Sequence, residues 1–170
     1  MNAKEFAVIQ LMNQERNVQR VTDSLSQDEI SWRPSCGCNS IGLILFHIAK
    51  GDDSFLLPNL TGQKAIWETE KWCDRLGMPV TESGGQYSAE QVNTFVPPRL
   101  KDLVAYAQAV RARLLAHIQA MKPEEFDRKI TLPYFGEMTV AAFVAIMIDH
   151  ASQHIGEMSY LRGLQRGLNK

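Results

Sequence analysis

Two histidines stand one helical turn apart in Asp149-His150-Ala151-Ser152-Gln153-His154. Four-residue spacing puts both side chains on one helix face, close enough to share one metal ion. Imidazole is a common neutral ligand, and such a pair fixes two coordination positions without a loop. The pair becomes a site only if another helix brings a third donor. His47 is the candidate, because it is the single ionisable residue in Ile41-Gly42-Leu43-Ile44-Leu45-Phe46-His47-Ile48-Ala49. In so apolar a helix it should face a polar point inside the protein.

Three neutral imidazoles at about 2.0–2.1 Å would leave coordination positions open to water or substrate, as catalytic rather than structural zinc sites do. The chemistry offered there is a water acidified toward neutral pH, or a thiol ionised outright. The bland reading is that these are core histidines bonded to carbonyls, or surface residues. A zincin is excluded, since Ala151 stands where that motif needs glutamate.

The neighbours are weighed in the same way. Asp149 points about 100° away from His150 on a helix and is not expected to ligate. Gln153 and Glu157 share the sector of the histidine pair. Glu157, three residues past His154, is a candidate acceptor behind a ligand or a weak general base. Asp52 and Asp53, beyond His47, are candidates for the cavity mouth. His117 reads as a surface residue near a helix C-terminus. Trp67, Trp72, Tyr87 and Phe95 either close over a substrate or fill a small satellite core.

Those residues need elements to position them. Apolar periodicity predicts a first helix over residues 2–25, followed by a cap and short turn at Ser26-Gln27-Asp28-Glu29. Trp32-Arg33-Pro34 ends any helix, and Ser40 or Asn39 caps a second, buried one that Pro58 should stop near Leu57. Residues 59–98 carry most of the turn signals, with short helices at Trp67–Trp72 and Ser88–Gln91. A connection this long is often a lid or binding loop. A third helix spans 99–121. A small hairpin around Tyr134-Phe135 leads to Thr139, which caps a fourth helix to about Leu164. At 1.5 Å per residue, His47 lies about 10 Å beyond Ser40, and the histidine pair roughly 16–22 Å beyond Thr139. Their depths match whether the second and fourth helices run parallel or antiparallel. The expectation is an all-α four-helix bundle, one domain over residues 1–170, with a long connection between its second and third helices.

Composition narrows the function classes. Among 170 residues the net charge is −1, and no basic stripe argues for nucleic acid. No apolar run is long enough to cross a bilayer, and Met1–Phe6 holds no signal-peptide core, so the cytoplasm is expected. Three cysteines suit free thiols better than a disulfide scaffold. Cys36 and Cys38 could bind metal or form a redox sensor, but zinc sites usually use wider spacings.

The chain resembles the DinB/YfiT-like superfamily of metal-dependent enzymes. The matching residues are Trp32-Arg33-Pro34, Leu45-Phe46-His47-Ile48-Ala49 and Asp149-His150-Ala151-Ser152-Gln153-His154-Ile155-Gly156-Glu157. The resemblance covers essentially the whole chain. It implies a four-helix bundle in which His47, His150 and His154 hold a divalent ion, often zinc or nickel. It implies a small-molecule substrate and, through members that use low-molecular-weight thiols, a thiol S-transferase beside a hydrolase. Homodimerisation rests on the resemblance alone. The alternative is a non-catalytic helical binding or dimerisation module that keeps a buried histidine cluster.

Overall fold

The computed structural model describes residues 1–133 and 135–167. A capping box opens α1, Ala3–Thr22: the Asn2 side chain accepts from Glu5 N–H, and the Glu5 carboxylate accepts from Asn2 N–H. That satisfies two of the donors a first turn leaves unpaired. The helix ends three residues short of the predicted Leu25, because Ser24 takes a φ of 57°. The expected short turn is a helix, α2, Gln27–Ser31, opened by a second capping box at Ser26.

Ser40 caps α3, Ile41–Gly51, by accepting from Leu43 N–H. The predicted stop at Pro58 does not occur. The helix passes into a π turn, Asp52–Leu56, and on into α4, Leu57–Thr61. Leu57 N–H reaches the Asp52 carbonyl across the wider turn. Pro58 thereby falls in the first turn of a new segment, where its missing N–H costs least. Gly62, at a φ of 71°, ends the run.

The long connection holds α5, Ile66–Thr69, α6, Trp72–Leu76, and α7, Ala89–Thr94. After α8, Leu100–Ala120, a 3₁₀ turn leads to β1, Lys129–Leu132, and β2, Gly136–Thr139. The strands pair antiparallel, Lys129 opposite Thr139 and Leu132 opposite Gly136. Tyr134, expected in this hairpin, lies outside the described residues. Thr139 closes β2 and caps α9, Val140–Arg166, by accepting from Ala142 N–H at 3.1 Å.

The four long helices form a ring in which α1 packs on α8 and α9, and α3 packs on the same two. Consecutive α1 and α3 therefore stand diagonally. Lys4 Nζ on the Met121 carbonyl makes α1 and α8 antiparallel. Gln14 on Ile148 and Arg162 on Val21 make α1 and α9 parallel. Gly42 against Pro97 and Asp52 against Arg111 make α3 and α8 parallel. His47 facing His150, with Phe55 facing Phe143, makes α3 and α9 antiparallel.

The predicted all-α bundle and its long second-to-third connection are thus what forms. Its interior draws on every long helix, with Leu11, Phe46, Leu103, Leu114, Phe143 and Met158 all buried. No described helix is long and apolar enough to cross a membrane.

Candidate metal centre

Antiparallel packing of α3 on α9 carries His47 to the middle of the His150–His154 turn. The His47 and His150 Nε2 atoms lie 3.1 Å apart. One ring nitrogen from each of the three histidines falls within 4.8 Å of the others. The rings stand edge-on, with centroids 4.6, 4.9 and 5.1 Å apart. All three are half-buried.

Hydrogen bonds behind the rings decide which nitrogen each presents. His47 Nδ1 is 2.7 Å from the Gly84 carbonyl, which can only accept, so the proton is on Nδ1 and the lone pair on Nε2. His154 Nδ1 is 2.8 Å from Glu157 Oε2, which imposes the same tautomer. A lone pair on His47 Nε2 that meets another nitrogen at 3.1 Å needs a proton or a cation between them. Burial holds the His47 pKa below the usual histidine range, against a pull upward from Gly84. His150 is lowered to about 4, first by burial and then by the charges His154 and His47 would carry. His47 and His150 are therefore neutral near neutral pH, the form that metal binding requires.

Gly84 and Gly85 explain how the carbonyl comes so close. Gly84 has a φ of 76°, and a Cβ there would collide with the stem of Lys50. A Cβ on Gly85 would stand 3.1 Å from His47 Nδ1. Only glycine lets this loop lie flat on the α3 face. Beside the histidines opens a cleft of about 260 Å³ bordered by His47, His154, the start of α3, the 85–87 loop and α7.

The model of the DinB superfamily matches residues 10–158. The chain belongs to the DinB superfamily. It is 26% identical over 148 residues to YuaE, an uncharacterized protein of Bacillus subtilis, covering 81% of this chain and 86% of that one. Its fold is similar to that of a conserved protein from Enterococcus faecalis, with a TM-score of 0.84 and 18% identity over 96% of this chain and 97% of that one. It is also similar to YfiT from B. subtilis, described as a probable metal-dependent hydrolase with an unusual four-helix bundle topology. There the TM-score is 0.63 at 13% identity, over 96% of this chain and 87% of that one.

Other predicted residues fall elsewhere in this DinB chain. Asp149 accepts from Gln153 Nε2 at 2.8 Å on the exposed side of α9, turned from the ring cluster as its helix angle requires. Asp52 and Asp53 do not line the cleft mouth: both are buried and bind Arg111, Tyr106 and backbone instead. They follow His47 by five and six residues, which rotates them onto the α8 side of the helix. His117 is half-buried rather than at the surface, near the α8 C-terminus. Trp67 and Trp72 are buried and stack on Tyr106, so they fill a satellite core, while Tyr87 borders the cleft. Cys36, Cys38 and Cys73 are free thiols, and none joins the histidine group. The residues that sequence reasoning missed are Gly84 and Gly85. Their only signal was Ser83-Gly84-Gly85 punctuating the long connection.

Proposed function

We propose that this chain is a metal-dependent enzyme in which His47, His150 and His154 hold one divalent ion, zinc or nickel. The observation that carries the reading is the convergence of one ring nitrogen from each of the three histidines within 4.8 Å, with Gly84 and Glu157 accepting from Nδ1 behind two of the rings. Carbonyl–histidine and carboxylate–histidine pairs of this kind orient metal ligands and raise their basicity. Such an ion supplies Lewis-acid chemistry that makes water a nucleophile for hydrolysis, or a small thiol one for transfer, near neutral pH.

The chain's own residues then have definite tasks. His47 and His154 present fixed tautomers, and His150 completes the set from one turn away. Glu157 is engaged with His154, so orienting that ring is its main task and proton abstraction a secondary one. The 84–87 loop limits water access from one side. The YfiT likeness supports the hydrolytic branch, and the superfamily supports a small-molecule substrate. The reading includes a cytoplasmic setting and no nucleic-acid partner, and homodimerisation enters with the family.

Elemental mass spectrometry of untagged wild type and His150→Ala tests the site. Near-stoichiometric metal in the wild type, lost in a variant that stays helical, is the expected result. Unchanged metal content in the variant would sink the ligand assignment. No uptake by either would favour the non-catalytic binding module.

A further inference from the structure

The cleft beside the histidines has a chemical character that the metal reading does not supply. Leu43 and Ile44, both buried, and the half-buried Val92 of α7 give it an apolar lining. Tyr87 contributes its ring, because its hydroxyl donates to Glu82 Oε1 at 2.7 Å. Asn39 and Gln86 are the exposed polar residues of the lining, each an uncharged carboxamide. No lysine or arginine is among the described residues that border the cleft. Lys50, one turn from His47, is held below Gly84, with its ammonium on Ser54 Oγ at 2.5 Å and over the Trp67 ring. The Glu157 carboxylate stands next to the histidines, 2.8 Å from His154.

The wall is also set in advance. Glu82 accepts from Gly84 N–H at 3.1 Å as well as from Tyr87, and the Ser83 hydroxyl donates to the Gly85 carbonyl at 2.9 Å. Gln86 is kept at a φ of 58°, a conformation non-glycine residues seldom adopt. A loop tied by three such bonds cannot readily turn a distant cation inward.

We propose that this cleft takes a small uncharged molecule and discriminates against its anionic analogues. The ligand would carry an ion-binding head, an apolar body of a few carbons, and an amide or hydroxyl tail for Asn39 and Gln86. The head rests on the proposed metal site, whereas the preference for an uncharged body rests on the lining. A carboxylate on the tail, away from the ion-binding head, would shed part of its hydration without meeting a lysine or arginine, whereas an amide exchanges water for carboxamide partners. The volume suits a molecule of roughly ten non-hydrogen atoms.

A matched pair of thiols reads the preference. N-acetylcysteinamide and N-acetylcysteine differ by a carboxamide in place of a carboxylate. The full chain is loaded with Co²⁺, its uptake counted by elemental analysis, and each thiol titrated by thiolate-to-cobalt charge-transfer absorbance. The amide is expected to bind at least about tenfold more tightly. Val92→Arg, which places a cation in the wall, should shrink that ratio below about threefold while Co²⁺ uptake stays the same. Equal or tighter binding of the acid by the wild type overturns the proposal.

The ion-free chain provides a second readout. ¹⁵N shifts of the Asn39 and Gln86 side-chain amides should respond to benzamide and not to benzoate. A response to both alike, or to neither at millimolar concentration, overturns the proposal independently of any metal. Discrimination without Co²⁺ uptake would instead discard the metal site and keep the cleft's preference.

Discussion

One helix carries two polar clusters, and they are built on opposite principles. On its α9 side, α3 offers His47 to His150 and His154. Just beyond its end, on the α8 side, Asp52 faces Arg111 at 3.1 Å. There Asp53 accepts from Ile66 N–H, Trp67 N–H and the Tyr106 hydroxyl, at 2.8, 2.8 and 2.9 Å. The acidic cluster is closed: each carboxylate is matched by a cation or by donors, and it fastens α5 and α8 to the π turn. The histidine cluster is open, with one ring nitrogen of each histidine turned toward the other two beside a cleft. Burial with full pairing is what structure requires, whereas half-burial with ring nitrogens converging beside a cleft is what a ligand site requires.

Changes that empty each cluster should separate the two roles. The largest effect is expected from Arg111→Ala, which leaves Asp52 buried and uncompensated. A loss of about 3–5 kcal/mol in urea unfolding is expected. His150→Ala, which vacates a half-buried position with no closed partner, should cost less than about 1 kcal/mol. Equal losses from the two would erase the contrast.

Next in size is Glu157→Ala. It frees the His154 ring to rotate and should weaken zinc binding by about 10–100-fold in a chelator competition, with little change in unfolding. Affinity equal to wild type would show that the Glu157 contact orients nothing.

A smaller effect concerns pH. In the ion-free chain His150 has a pKa of about 4, against 6.5 for an unperturbed histidine. Protons therefore favour the unfolded state. The contribution of neutral His150 is complete above about pH 6.5 and is lost as pH falls toward 4. Unfolding free energy measured across that window should fall more steeply for wild type than for His150→Ala. Parallel profiles would contradict the burial of that ring. The smallest change is expected from Asp149→Asn, within about 0.5 kcal/mol and with metal content unaltered, since Asp149 accepts its hydrogen bond from Gln153 on the exposed face.

Much of this was legible beforehand because it is local. The Ser40 and Thr139 caps, the apolar stripes of α1 and α8, and the shared face of His150 and His154 follow from backbone periodicity and from donors within four residues. His47 stood out for a related reason, as a lone ionisable group in an apolar helix. The Pro58 error came from applying a rule that holds for a regular α-helix. A π turn five residues long evades it, and no sequence signal announced that turn.

The sequence by itself determined the four long helices, the Ser40 and Thr139 caps, the pairing of His150 with His154 and the family to which the chain belongs. Only the tertiary structure decided the order and direction of the helices around the bundle. It also decided that Asp52 and Asp53 turn away from the cleft, and that Gly84 reaches over from the long connection to hold His47. The reason is range. Periodicity and capping act within a turn or two, whereas the Gly84 carbonyl meets a ring 37 residues earlier and His47 meets His150 across 103. Those meetings depend on how whole helices bury their apolar faces against one another, a quantity that no single segment encodes.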